Sequence, residues 1–142
     1  MHVRQMVFED VEAALAFWGS FDGVQLNEGD TLAGIAAFLE RNPGISFVAT
    51  AGGQTVGAVL AGHDGRRGFL YHLAVDAAHR GQGIGRALVR EAVRALRAAG
   101  IRKCHVMVFR NNPSGTAFWN HLAWRKRDDI DLHTLAIEGS GD

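Results

Sequence analysis

The sequence predicts an α/β fold in which a mixed and largely antiparallel sheet carries helices on both faces. Apolar residues recur every three or four positions in some segments and alternate with polar residues in others, so both helices and strands are expected. A strongly amphipathic segment over 83–99 lies between two apolar strands, as in a right-handed β-α-β crossover with parallel strands. With 142 residues, of which 47% are apolar, the chain is predicted to form a single domain over 1–142.

The first half of the chain has the pattern of a strand, two helices and three further strands. Apolar residues recur at helical spacing in both helices, and Asn42-Pro43-Gly44 ends the second helix. Gly52-Gly53 and Asp64-Gly65 are hairpin signals, so the strands that they join are expected to be antiparallel. The predicted elements are a strand over 3–8, helices over 9–19 and 31–41, and strands over 45–51, 55–62 and 69–75.

The second half begins with the strongest helix pattern of the chain, over 83–99. Arginines line one face of this helix, which is typical either of a nucleic-acid stripe or of a solvated surface: Arg86, Arg90, Arg94 and Arg97. Because the chain has no net charge, the solvated surface is favoured. The remaining predicted elements are a strand over 103–109, a helix over 114–122, a closing hairpin over 124–127 and 131–137, and a frayed tail over 138–142. The order is therefore βααβββαβαββ.

Composition argues against several classes of protein. Lys+Arg and Asp+Glu both number 15, so the chain has no general attraction to nucleic acid or to an anionic membrane. No apolar run approaches the roughly 18 residues of a membrane span, and the N-terminus has no apolar stretch of signal-peptide length. The single cysteine, Cys104, cannot form an internal disulfide, which predicts a reducing compartment and a cytoplasmic protein. The histidines include no tight ligand pair, so no metal site is predicted.

The stretch Arg80-Gly81-Gln82-Gly83-Ile84-Gly85 stands directly after a predicted buried strand and opens the helix over 83–99. It lacks the third glycine of the dinucleotide motif, because Arg86 occupies that position, and it lacks the Lys-Ser or Lys-Thr pair of a P-loop. The first N–H groups of a helix have no internal partner, and the helix dipole attracts negative charge. The stretch therefore predicts an anion cradle to which Arg80 and Arg86 add charge. The alternative is a glycine-rich turn without a ligand.

Two motifs occur in the second half of the chain at a separation that leaves room for a helix and a strand. The stretch over 80–85 matches R/Q-x-x-G-x-G/A, and Leu73-Ala74-Val75 before it matches an L-A-V strand. The stretch over 112–119, followed by Leu122-Ala123-Trp124, is similar to N-x-x-A-x-x-F-Y…LGF. With the element order, these motifs resemble the GNAT superfamily of acetyl-CoA-dependent N-acetyltransferases over nearly the whole chain. The hairpin over 62–68 resembles that of small bacterial YpeA-type acetyltransferases.

The resemblance implies a binding site for acetyl-CoA as the cosubstrate. In the family the coenzyme A pyrophosphate sits on the cradle, which matches the backbone N–H groups from Gln82 to Arg86. The pantetheine arm pairs, like an added β-strand, with the strand before the cradle, which matches the backbone of Leu73 and Val75; the family's sheet has one parallel splayed pair of strands. Asn112 and Phe118 match residues beside that arm. The implied cofactor-binding residues are Leu73, Val75, Arg80, Gly81, Gln82, Gly83, Ile84, Gly85, Arg86, Asn112 and Phe118.

The resemblance leaves the catalytic groups open. The usual proton donor of the family is a tyrosine at the position of Trp119, and an indole is too weak an acid for that role. Either Tyr71 or a water protonates the leaving thiolate, or the thiolate leaves unprotonated. Some family bases match the positions of Tyr71 and Phe69, whereas strict alternation points His72 to the opposite face unless a bulge intervenes. The candidate catalytic groups are Tyr71 and the backbone amide near Val75, which would stabilise an oxyanion.

The acceptor that the resemblance implies is an amine that approaches from the first helix-loop-helix. Direct transfer is favoured, because the sequence shows no activated nucleophile. The alternatives are a non-catalytic acetyl-CoA sensor, which the replacement of the tyrosine by Trp119 favours, and a nucleic-acid-binding domain that uses the arginine face. Homodimers are common in the family. Glu28 would either hold an ammonium or remain a solvated loop residue. The candidate acceptor residues are Phe21, Val24, Gln25, Leu26, Asn27 and Glu28.

Overall fold

Helices and strands follow one another in the predicted order as far as the fourth helix. The structure, a computed structural model, describes residues 1–21 and 23–138, and the chain divides into two units, Met1–Phe109 and Arg110–Asp142. The strands of the first unit are β1 (His2–Gln5), β2 (Phe47–Ala51), β3 (Gln54–His63), β4 (Gly68–Val75) and β5 (Cys104–Val106). Its helices are α1 (Val11–Trp18), α2 (Leu32–Arg41) and α3 (Ile84–Ala98), with short 3-10 turns at Phe8–Asp10 and Ala77–His79. The second unit contains α4 (Pro113–His121).

The five strands form one mixed sheet in the order β1-β2-β3-β4-β5. Neighbouring strands are antiparallel except for β4 and β5, which are parallel. The predicted fold class, a largely antiparallel mixed sheet with one parallel pair, is therefore confirmed. The single domain over 1–142 stays a prediction.

Helices cover both faces of this sheet, as predicted. Trp18 of α1 and Ile35 of α2 belong to a buried apolar cluster that includes Ala58 of β3. The neighbouring Gly57 points to the other face, where a Cβ would lie 3.1 Å from the Leu88 side chain of α3. Burying one side chain such as Leu88 contributes about 1.5–3 kcal/mol, so such contacts hold α3 on the sheet. Among residues 1–21 and 23–138, no helix is long and apolar enough to cross a bilayer.

Two strands are shorter than their sequence patterns predict. β1 ends at Gln5 rather than at position 8, because the carboxylate of Asp10 accepts a hydrogen bond from the N–H of Val7 at 2.8 Å and a 3-10 turn begins there. β5 spans only Cys104–Val106 rather than 103–109, because only these residues pair with β4. Because β5 ends early, the second half of β4 has a strand partner only on the β3 side within the described residues.

The predicted closing hairpin over 124–127 and 131–137 is wrong, because no strand follows α4 in the described residues. The segment contains several apolar side chains, but Leu132 and Ile137 are 75% and 91% exposed. Apolar side chains stabilise a strand only when they are buried against neighbours, and that burial is missing here. The predicted tail over 138–142 lies outside the described residues, apart from its first residue.

Candidate active site

The edge of β4 that faces β5 is free along its second half. β5 pairs with β4 only at Gly68–Leu70, so the rest of β4 has no strand partner on that side in the described chain. The N–H of Asp76 donates to the carbonyl of Val56 in β3 at 2.8 Å, so this N–H lies on the edge of β4 that pairs with β3. Because successive residues of a strand direct their backbone groups to opposite edges, the N–H and C=O groups of Val75 and Leu73 lie on the free edge. An extended ligand can add to this edge as a further strand.

The N-terminus of α3 presents backbone N–H groups without partners. Ala87 donates to the carbonyl of Gly83 at 3.0 Å, but the described residues offer no acceptor to the N–H groups from Gly81 to Arg86. Gly81 and Gly83 have φ angles of 79° and 80°, and a Cβ on either would meet nothing within 4 Å. Glycine adopts this left-handed conformation without strain and leaves the N–H groups accessible. The segment therefore fits an anionic phosphate group.

Arg80 lies between the free edge and the helix N-terminus. Its Nε donates to the carbonyl of Val75 at 3.3 Å, which directs the guanidinium along the end of β4. Arg80 and Arg86 are both exposed, so both can reach a ligand on this surface. Hydrogen bonds from a guanidinium to a phosphate are charge-assisted and stronger than those between neutral groups.

β4 contains a β-bulge at His72. The register with β3 shifts between Ala58 and Leu60, so His72 and Leu73 stand opposite a single residue. His72 has a φ of 57°, in the left-handed region, where a residue other than glycine costs about 1–3 kcal/mol. Bulges of this kind redirect a side chain and occur often beside active sites.

The bulge turns the His72 side chain toward the face covered by α1 and α2. Its ring centroid is 5.3 Å from that of Trp18, and its Nε2 is 3.0 Å from Oδ1 of Asp30. Tyr71 packs against the buried cluster on the same face. Strict alternation, which predicts opposite faces for Tyr71 and His72, fails at this position because the bulge adds a residue between the paired positions.

The loop before α2 holds Asp30 in place. Its Oδ2 accepts a hydrogen bond from the N–H of Asn27 at 3.0 Å, while Oδ1 contacts His72. The side chains of Asp30 and His72 are 16% and 17% exposed. The loop packs closely on α2, because a Cβ on Gly34 would overlap the carbonyl of Gly29. The position of the carboxylate therefore depends on glycine at position 34.

Tyr71 lies half-buried between two phenylalanines. Its ring centroid is 6.2 Å from that of Phe38 and 6.1 Å from that of Phe69. Burial raises the pKa of the Tyr71 phenol above its ordinary value, and Cys104 raises it further. A phenol that stays protonated at neutral pH can donate a hydrogen bond or a proton but cannot act as a base. Of the two roles considered for Tyr71, only that of donor fits this environment.

The loop predicted to meet the acceptor has a packed part and an exposed part. Phe21 and Val24 pack against the buried cluster, whereas residues 25–28 are exposed. The sequence singled out Glu28 in this loop, but the carboxylate that reaches the sheet belongs to Asp30. The Asn-Glu-Gly-Asp stretch marks a turn. Nothing local predicts that its aspartate contacts His72, which lies 42 positions further along the chain.

Three other candidate residues lie in the second unit. Oδ1 of Asn112 accepts a hydrogen bond from the N–H of Gly115 at 3.0 Å and so caps α4. The ring centroid of Phe118 is 5.1 Å from that of Trp119, and Trp119 is buried, 4.6 Å from Trp124. The roles of Asn112 and Phe118 toward coenzyme A stay predictions.

The chain has one thiol, that of Cys104, and it is partly buried. Burial raises the pKa of Cys104 to about 11, so the nucleophilic thiolate is scarce at neutral pH. In the ranges 1–21 and 23–138, no group of three or more metal-ligating side chains occurs. The site thus consists of backbone N–H groups, two exposed arginines, a protonated tyrosine and a histidine–aspartate pair.

Comparison with known proteins relates nearly the whole chain to acetyltransferases. The family described as Acetyltransferase (GNAT) family matches residues 10–124. An acetyltransferase of Pectobacterium atrosepticum is 33% identical over 138 residues, which cover 97% of this chain and 97% of that protein.

Two solved structures share the fold. The aminoglycoside 6'-N-acetyltransferase AAC(6')-IG of Acinetobacter haemolyticus gives a TM-score of 0.78 at 16% identity, covering 97% of this chain and 100% of that one. A Mycobacterium tuberculosis protein in complex with CoA gives a TM-score of 0.72 at 22% identity, covering 94% of this chain and 76% of that one.

Proposed function

Because the chain belongs to the acetyltransferase (GNAT) family, we propose that it transfers the acetyl group of acetyl-CoA directly to a primary amine. Acetyl transfer, with acetyl-CoA as the cosubstrate, follows from the family and from the named acetyltransferases among its relatives. The amine acceptor and the direct transfer in a ternary complex are the proposal. The observation that carries it is the free edge of β4, which leads to the unpaired N–H groups at the start of α3.

The backbone N–H groups from Gln82 to Arg86 would bind the pyrophosphate of coenzyme A. Gly81 and Gly83 have no side chains to hold a phosphate away, and Arg80 and Arg86 would add charged hydrogen bonds. Each hydrogen bond to a charged group contributes about 1.5–3 kcal/mol, so a few of them suffice to hold the cofactor. Ile84 and Gly85 are buried in the first turn of α3, so they would contact the pyrophosphate only through their backbone N–H groups.

The backbone of Leu73 and Val75 would hold the pantetheine arm as an added strand. This pairing would supply partners for the N–H groups of both residues and for the carbonyl of Leu73, which have no strand neighbour in the described chain. The carbonyl of Val75 accepts a hydrogen bond from Nε of Arg80.

The N–H of Val75 would donate to the acetyl oxygen, where negative charge develops as the amine attacks. Tyr71, which burial keeps protonated, or a water would supply the proton that the sulfur takes. Trp119 cannot take this role, because an indole N–H donates a hydrogen bond but not a proton. An acetyl-enzyme is not supported, because Cys104 is protonated and no activated nucleophile stands at the site.

Release of the coenzyme A thiol from acetyl-CoA, measured with a panel of primary amines, tests the proposal. The panel contains a peptide N-terminus, lysine, a polyamine, an amino acid and, because one structural neighbour is named for them, an aminoglycoside. Alcohols of the same skeletons are the matched controls. We expect thiol release with at least one amine and none with the alcohols. Calorimetric binding of acetyl-CoA without turnover on any amine would contradict the proposal and favour a non-catalytic sensor.

Three finer expectations stay predictions: a homodimer, a cytoplasmic location and a place in the YpeA-type branch. Sedimentation of the purified protein decides the first, because the masses of one and two chains differ twofold.

A further inference from the structure

His72 and Asp30 form a hydrogen-bonded pair on the face of the sheet covered by α1 and α2. We propose that His72 is the general base that removes a proton from the acceptor ammonium, and that Asp30 is a positioning residue that orients it. This inference rests on the proposed transfer to a primary amine. The loop that carries Asp30 is also the one predicted to meet the acceptor.

Asp30 determines which nitrogen of the His72 ring is free. Nε2 lies 3.0 Å from Oδ1 of the carboxylate, so the neutral ring donates its N–H there and keeps a lone pair on Nδ1. The other carboxylate oxygen accepts the N–H of Asn27, which prevents Asp30 from turning away. One ring nitrogen is therefore held and the other can accept a proton, as a general base requires.

The groups that flank His72 come from α1, the loop before α2 and β4. From α1, the uncharged indole of Trp18 lies against the ring. From the loop before α2, the carboxylate of Asp30 accepts the N–H of the ring. On β4 itself, Tyr71 stays protonated because burial raises its pKa. The side chains of His72 and Asp30 are only 17% and 16% exposed, so the hydrogen bond between them is largely shielded from competing water.

The bulge in β4 brings the base and the proposed oxyanion donor onto one short segment. In a regular strand the His72 side chain would point to the face covered by α3, away from Tyr71. The left-handed φ of 57° at His72, which only its surroundings can maintain, turns it to the other face. The N–H of Val75 lies on the free edge of the same strand.

His72 Nδ1 takes one proton from the ammonium, which frees the lone pair of the amine. The amine nitrogen forms a C–N bond with the acetyl carbonyl carbon, and the C–S bond breaks with its electron pair going to sulfur. The sulfur receives the second proton of the nitrogen through Tyr71 or a water, and His72 returns its own proton to solvent. The products are an N-acetyl amine, a thiol and one released proton.

Steady-state kinetics against pH, with an alkylamine that the wild-type protein accepts, test the inference in three variants. His72→Gln should lower kcat by about 100-fold or more, abolish the acid limb of the pH–rate profile and leave the Kd for coenzyme A unchanged. Asp30→Asn should lower kcat by about tenfold and leave the Kd for coenzyme A unchanged, because the ring of His72 loses the carboxylate that orients it. The matched control is His63→Gln, since His63 accepts the N–H of Gly65 in the β3–β4 hairpin, and it should change neither quantity.

A weakly basic aromatic amine, which is unprotonated at neutral pH, separates a base from a structural histidine. The loss in His72→Gln should be much smaller with this acceptor than with the alkylamine. Coenzyme A binding and thermal unfolding report whether each variant is folded. If His72→Gln does not fold, the kcat of Asp30→Asn with the two amines tests the inference instead. Wild-type kcat with an unchanged acid limb in a folded variant would overturn the inference, as would an equal loss with both amines. Failure of the wild-type protein to acetylate any amine would overturn the proposed function and this inference with it.

Discussion

Substitution of Gly83 by aspartate should weaken coenzyme A binding while leaving the fold intact. Gly83 precedes α3 with a φ of 80°, and a Cβ there would meet nothing within 4 Å, so no overlap with the protein arises. A residue other than glycine in this conformation costs about 1–2 kcal/mol. A carboxylate at a helix N-terminus offsets about 0.3–1 kcal/mol of this cost. We therefore expect the free energy of unfolding to fall by less than about 2 kcal/mol.

The expected loss of affinity comes from charge. The new carboxylate would compete with the pyrophosphate for the N–H groups at the start of α3 and would repel it. Two unit charges about 5 Å apart interact by about 1–3 kcal/mol at effective dielectric constants between roughly 80 and 20. This energy corresponds to a Kd that is about 5- to 150-fold weaker.

Titration calorimetry with coenzyme A measures this loss, and two further variants serve as controls. Gly83→Asn also places a side chain on a residue in the left-handed conformation, but it adds no charge. It should therefore weaken coenzyme A binding clearly less than Gly83→Asp does. Gly65→Asp places an aspartate in the β3–β4 hairpin at a φ of 94°, again with nothing within 4 Å, and should leave the Kd unchanged. Wild-type affinity in a folded Gly83→Asp protein, or an equal loss in Gly65→Asp, would refute the placement of the pyrophosphate.

Three further predictions concern side chains whose surroundings shift their pKa. Tyr71→Phe should lower kcat about tenfold with no change in the Kd for coenzyme A; an unchanged kcat would assign the sulfur proton to water. Hydrogen bonds from Arg4 at 2.7 and 2.8 Å lower the pKa of Asp10 in the folded protein. The ion pair therefore stabilises the fold fully above the pKa of an unfolded aspartate, about 3.9, and this stabilisation is lost as the pH falls through the lower pKa of the folded state. Asp10→Asn should therefore cost about 1 kcal/mol of unfolding free energy at pH 7, since Arg4 is 40% exposed and solvent screens the pair, and should flatten the acid side of the stability curve; a curve of wild-type shape would contradict this. With its pKa at about 11, about one Cys104 thiol in 1000 is ionised at pH 8, so a disulfide reagent should react at least about 100-fold more slowly with the native protein than after denaturation. Similar rates before and after denaturation would show that the thiol is not buried.

Local sequence patterns predict the elements whose stability depends on one buried stripe. The α3 pattern is reliable because its periodic residues are buried in the structure, with Ile84 and Leu88 at 1% and 0% exposure. The closing hairpin fails although its segment also contains apolar residues, because Leu132 and Ile137 are exposed and not packed against other elements. Periodicity predicts which face an element would bury, whereas only the tertiary structure decides whether that face is covered.

The candidate site also has a part that the sequence predicts and a part that it does not. The anion cradle is predictable from consecutive residues, because the glycines and the start of the helix that form it are adjacent in the sequence. The bulge at His72 is not, because no glycine marks it and the strained φ is maintained by contacts from other elements. Its partner Asp30 lies 42 positions away, so the hydrogen bond between them depends on the packing of a loop against the sheet.

Amide chemical shifts, recorded in 15N–1H spectra with and without coenzyme A, test most directly where the cofactor binds. The largest changes should fall on the N–H groups of Gly83, Gly85 and Arg86 and on those of Leu73 and Val75. The amide of Gly65 should not move. Saturating binding with unchanged shifts at the start of α3 and along the free edge of β4 would contradict the account.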